Sequence, residues 1–96
     1  MAAYMIVDLV VTDPEGFAVY REMVPPTIAA YGGRYLVRGG AISPMEGGWD
    51  PARITVLEFP SVERATAWWD SPEYAEAKAL RQRTAETKMI IVEGLA

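Results

Sequence analysis

The chain has 96 residues, 13 of them acidic and nine Lys or Arg, for a net charge of −4, and it contains no cysteine and no histidine. So few cations, with no basic run, disfavour the phosphate-neutralising patch that nucleic acids and anionic membranes require. The missing residue types exclude disulfides, thiol nucleophiles, Cys/His zinc centres, His-ligated haem and a histidine general base.

From Ala3 to Val11 the residues are β-branched, aromatic or aliphatic, with Asp8 the exception. Met5, Val7, Leu9 and Val11 alternate with Tyr4, Ile6, Asp8 and Val10, so both faces are mostly apolar, as in a central strand covered on both sides. The stretch is too short to span a bilayer, and no basic segment precedes it, so a cytoplasmic location is expected. Asp13-Pro14-Glu15 then reads as a helix start: a capping carboxylate, a proline at the first turn and an acid at the positive end of the dipole. Phe17, Tyr20, Val24, Ile28 and Tyr31 follow at helical spacing. Pro25-Pro26 predicts a kink or two short helices in tandem, and Gly32-Gly33 ends the segment.

Arg34 to Arg38 reads as a second strand, and a Gly- and Pro-rich loop carrying Trp49 spans residues 39–52. Arg53 to Phe59 is a third strand, stopped by Pro60. Ser61 caps a short helix through Trp69, and Ser71-Pro72-Glu73 starts another that is expected to run to about Glu86. Lys88 to Glu93 is the fourth strand. The order β-α-β-β-α-β within one domain, residues 1–96, is the α+β, ferredoxin-like split arrangement: a four-stranded antiparallel sheet with its helices on one face. The other face is apolar and has no helix of its own. A second copy of the sheet is the expected cover, giving an isologous homodimer. The alternative is a monomer whose long loop folds over that face.

Several segments carry a resemblance. They are Asp13-Pro14-Glu15 with Tyr20, the run from Gly32 to Gly40, Glu46-Gly47, Leu57 to Ser61, Ala65 with Trp68, Ser71-Pro72-Glu73-Tyr74, Arg81, and Val92 to Leu95. In this order and spacing the chain resembles the domain-of-unknown-function family numbered 1330. The resemblance implies the dimeric α+β barrel superfamily, in which two ferredoxin-like subunits pair through their sheets. It implies no activity. Pro25-Pro26 departs from the pattern and leaves the first helical layer less defined.

Among candidate functional residues, Arg81 stands out. Tyr74, Ala77, Arg81 and Ala85 share one helix face, so the arginine sits on an apolar or small stripe. It suits an anchor for a ligand carboxylate, an internal ion pair with an acid such as Glu58 or Asp70, or a side chain that snorkels to water. Arg38 ends a strand before Gly39-Gly40, where the backbone can approach a ligand closely or simply turn. Asp8 and Glu58 are acids within apolar strands. Burial would raise their pKa and make either a possible acid/base, whereas pairing with an arginine would leave each a structural charge. Tyr20, Trp68 and Tyr74 either line an aromatic pocket or fill the core. In related barrel families the ligand lies between helices and sheet, an analogy of fold only. No metal or cofactor motif is present.

Two functions fit. One is a protein that binds or transforms a small aromatic or carboxylate-bearing molecule without a cofactor, through Tyr20, Arg38, Trp68, Tyr74 and Arg81. The other is a non-catalytic structural or accessory dimer module. Whether the chain is an enzyme is open at this point.

Overall fold

The structure, a computed structural model, describes residues 1–95. Strand β1 spans Ala3–Val11, β2 Arg34–Arg38, β3 Ile54–Phe59 and β4 Ala85–Glu93; helices α1, α2 and α3 span Pro14–Ala30, Val62–Trp69 and Pro72–Thr84. The strands form one antiparallel sheet in the order β2-β3-β1-β4. This is the α+β, ferredoxin-like arrangement expected from the element order. No described helix is long and apolar enough to cross a membrane.

Alternation divides the sheet into two faces. Ala3, Met5, Val7 and Leu9 of β1 and Leu57 and Phe59 of β3 are buried with Phe17, Tyr20, Val24, Ile28, Trp68, Tyr74 and Ala77 of the helices. On the outer face, register stacks Tyr4 between Val92 and Glu58, Ile6 between Ile90 and Val56, and Asp8 between Lys88 and Ile54. Val10, Val37, Ile90 and Val92 are substantially exposed there.

The caps act as their residue types dictate. Asp13 accepts from the Gly16 amide, Ser61 from Arg64 and Ser71 from Tyr74, each supplying an acceptor for an otherwise free first-turn N–H. Gly32, at φ +77°, ends α1. Gly33 has no room for a side chain, because a Cβ there would lie 2.6 Å from the Phe59 ring.

Three expectations change. First, of the kink and the two tandem helices expected at Pro25-Pro26, the tandem pair is not formed: α1 is one continuous helix through both prolines. Pro25 has no N–H for the Arg21 carbonyl four residues back, and the Arg38 guanidinium donates to that carbonyl instead, at 2.7 Å. Second, α3 ends at Thr84, not near Glu86, and β4 begins at the next residue rather than at Lys88. Residues 82–86 are compatible with helix. The Thr84 carbonyl, however, accepts from the amides of Thr12 and Asp13, tying the end of α3 to the end of β1 and sending Ala85 directly into the sheet. Third, β2 is irregular: between Tyr35 and Val37 the register shifts by one residue, leaving Leu36 unpaired.

Candidate functional site

The bulge in β2 decides which face Arg38 serves. In an unbroken strand Tyr35 and Arg38, three residues apart, would point to opposite faces. With Leu36 looped out, Tyr35 pairs with Leu57 and Arg38 with Thr55, both on the helix side. The guanidinium lies 4.5 Å from the centre of the Tyr35 ring and is held by the Arg21 carbonyl that Pro25 frees. Among the described residues Arg38 has no acid partner; its anchors are a main-chain oxygen and an aromatic face.

A cavity of about 40 Å³ opens beside it, between the sheet and α1. Its walls are apolar, from Val7, Leu9, Val24, Ile28, Leu57 and Met89, and its polar lining comes chiefly from arginines and phenols. Arg21, Arg38, Arg53 and Arg81 all line it, with Tyr20 and Tyr35, and no aspartate or glutamate does. Four of the nine cationic side chains of an acidic protein therefore face one small space. Arg21 and Arg38 are exposed and form its mouth, while Arg81 is buried, at 3% exposure.

Arg81 is placed by α3, whose Tyr74-Ala77-Arg81-Thr84 stripe is buried. Its Nε donates to the Tyr74 hydroxyl at 3.2 Å, and the Tyr74 and Tyr20 hydroxyls share a hydrogen bond of 3.2 Å. Trp69 lies 5.6 Å from the guanidinium carbon, ring centre to Cζ. The one ion pair among the described residues is Arg34–Glu58, on the far side of the sheet, so neither Glu58 nor Asp70 neutralises Arg81. Burial pushes the Tyr20 phenol well above its usual range, and the neighbouring Tyr74 adds to the effect. Burial also raises Tyr35, against the opposing pull of Arg38. These phenols stay protonated at neutral pH and serve as hydrogen-bond donors and acceptors, not bases.

Of the residues singled out in the sequence, Tyr20, Arg38, Trp68 and Arg81 line this cavity, and Tyr74 stands behind them, bonded to Tyr20 and Arg81. Trp68 also holds the core. It stacks on Tyr74 with centroids 3.9 Å apart and donates from Nε1 to Thr27 Oγ1 at 3.0 Å. Asp8 and Glu58 lie on the outer face, away from the cavity. Asp8 accepts from Trp49 Nε1 at 3.3 Å. Glu58 accepts from Arg34 at 2.7 Å, which holds its carboxyl below the usual range. Sequence reasoning missed Arg21, Arg53 and Tyr35. The first two had no apolar stripe to mark them, and Tyr35 was hidden by the unforeseen bulge.

The fold recurs in solved structures. A protein of unknown function from Rhodopseudomonas palustris superposes with a TM-score of 0.76 at 19% identity, covering 99% of this chain and 83% of that one. A dimeric ferredoxin-like protein of unknown function from a Jannaschia species gives 0.73 at 12% identity, covering 98% and 100%. SnoaB, a cofactor-independent oxygenase from Streptomyces nogalater, gives 0.71 at 8% identity, covering 99% and 94%. At these identities the likeness is one of fold. No curated protein matches the chain in sequence. The match that spans the sequence is to a family, over residues 2–95: the chain belongs to the family described as Domain of unknown function (DUF1330).

Proposed function

We propose that the chain is a homodimeric binding protein for a small carboxylate-bearing molecule, held between sheet and helices with its carboxylate at Arg81. One observation carries this reading: Arg81 is buried, has a tyrosine hydroxyl as its hydrogen-bond partner, and has no acid among the described residues to neutralise it. A buried cation ordinarily needs an anion or a dense set of acceptors to offset its lost hydration. Here the missing charge is supplied from outside, and the surrounding arginines raise the local concentration of anions. The dimer is supported by the apolar outer face and by neighbours of the same fold that are dimeric.

The chemistry such a site favours is stabilisation of an electron-rich anion by fixed guanidinium and phenol donors. No carboxylate or imidazole lines it to remove a proton. That suits binding, or oxygen chemistry driven by the substrate itself, and a cofactor-independent oxygenase shares the fold. The cavity's size favours a second reading, a structural or accessory dimer module. Its room of about 40 Å³ is on the scale of a few water molecules, far below an ordinary ligand pocket.

Thermal unfolding in sodium acetate against sodium chloride of equal ionic strength separates the two readings. Acetate at about ten times its dissociation constant should stabilise the protein by roughly 1.4 kcal/mol. Arg81→Met should unfold no earlier than the parent, because it removes a buried unpaired charge, and should lose the acetate effect. Acetate acting no better than chloride, or acting equally on the variant, leaves the structural reading standing.

A further inference from the structure

The inner cavity does not exhaust the space around Arg81. A second opening, a cleft of about 400 Å³, lies between α3, the end of α2 and the edge strand β4, lined by Trp69, Arg81, Gln82, Ala85, Thr87 and Met89. Arg81 and Met89 line both spaces. Register places Met89 opposite Val7 and Thr87 opposite Leu9, so both belong to the helix side of β4, away from the apolar outer face. No acid among the described residues lines the cleft, and Lys78 Nζ lies 4.5 Å from the centre of the Trp69 ring. The hydroxyl of Thr87 is buried without a hydrogen-bond partner, the one such side-chain atom among the described residues. A buried hydroxyl without a partner calls for an explanation, and this one belongs to a residue that lines the cleft beside an arginine lacking its anion.

We infer that cavity and cleft are two halves of one ligand site, divided by the Met89 side chain, and that the ligand is a carboxylate on a flat apolar body. The carboxylate lies at Arg81, where the Thr87 hydroxyl gives it a second donor, and the body occupies the cleft against Trp69. Met89 is suited to be the partition: its unbranched thioether side chain has three rotatable bonds and repacks readily. It is half-buried on an edge strand, where no further strand confines it. When it turns aside, the small inner space joins one ten times its volume, which resolves the mismatch between a strongly cationic site and the little room visible within it.

This inference rests on the carboxylate reading of Arg81, and two probes keep the two apart. Acetate carries the charged group alone; benzoate adds the flat body. Affinities for both are measured by calorimetry on the full chain, on Arg81→Met and on three further variants. Met89→Ala should tighten benzoate about tenfold and leave acetate within a factor of two. Trp69→Ala should weaken benzoate and not acetate. Thr87→Val should weaken both severalfold while leaving thermal stability unchanged or higher, since it deletes a hydroxyl that has no partner in the free protein. Acetate binding that needs Arg81, with benzoate indifferent to Met89 and Trp69, would overturn the two-part site and keep the carboxylate reading. Failure of both anions to bind the parent and Met89→Ala alike would overturn both.

Discussion

Arg34 and Arg81 lie on opposite faces of one sheet and in opposite circumstances. Arg34 is largely exposed and has a carboxylate 2.7 Å from its Nε. Arg81 is buried and has a tyrosine hydroxyl. Stability alone would assign the acid the other way, because water already solvates an exposed cation and a buried one depends on its neighbours. The same inversion holds for the faces as wholes. The outer face carries Asp8, Lys88, Glu58 and Arg34 among bare aliphatic residues. The inner face is covered by helices, yet four arginines without an acid partner among the described residues reach into its cavity. The proposed surface for a second copy and the proposed site for an anion would account for these two departures, and each can be disturbed without the other.

The inner wall should give the largest effect. Trp68 is 1% exposed, stacks on Tyr74, lies tilted against Phe59 and lines one side of the cavity. Trp68→Ala should cost about 3–5 kcal/mol in denaturant unfolding, and a loss below about 1 kcal/mol would show that the ring is ligand wall rather than core. The outer face should respond in assembly instead. Ile90 is 58% exposed in the single chain, so a partner would bury what remains. Ile90→Lys should weaken association by roughly 2–3 kcal/mol, because a two-fold interface loses the contact twice. Folding of the single chain should change by less than about 0.5 kcal/mol. Sedimentation should then show the parent near twice 10.6 kDa and the variant near 10.6 kDa at micromolar concentration. A parent that sediments as a single chain removes the dimer.

The division of the sheet into two faces is legible in the sequence, but not which charges each face carries. Alternation in β1 and the three caps at Asp13, Ser61 and Ser71 rest on local chemistry that a sequence displays directly. What was hidden depends on contacts distant in sequence. Whether Arg38 faces the cavity is decided by one unpaired residue, Leu36, and no local signal predicts a bulge there. The continuity of α1 depends on a guanidinium seventeen positions away taking the carbonyl that Pro25 leaves free. The end of α3 depends on Thr12 and Asp13. Arg81 could be marked as suggestive from its stripe, but its lack of an acid is a three-dimensional fact. So is the placing of Asp8 and Glu58 on the outer face, since a strand residue's face is known only once the helices have chosen a side.

Alkaline titration should sharpen the view of the inner face. Folding raises the Tyr20 pKa above its unfolded value, so the folded state holds that proton more tightly. The stability this brings is fully present below about pH 10 and is lost as pH rises further. Tyr20→Phe should flatten that alkaline decline while costing about 1 kcal/mol at neutral pH, where the bond to Tyr74 is lost. Parallel alkaline limbs in parent and variant would mean that other phenols, Tyr35 first among them, govern the decline.

The smallest effect is expected at the ion pair itself. Glu58 is held below its ordinary pKa chiefly by its hydrogen bond from Arg34, so whatever stability the pair gives is present above the ordinary carboxylate range and lost as pH falls through it. The pair is open to water, which screens it and leaves Arg34 well solvated without it. Glu58→Gln should therefore leave the unfolding midpoint of the single chain unresolved from the parent at neutral pH, and any residual difference should vanish in high salt and in acid. A clear loss that survives high salt would place Glu58 in a setting drier than the single chain provides, and the proposed interface between sheets is where such a setting would arise. The same substitution made in the Ile90→Lys background tests that origin: the loss should disappear once the second copy is gone.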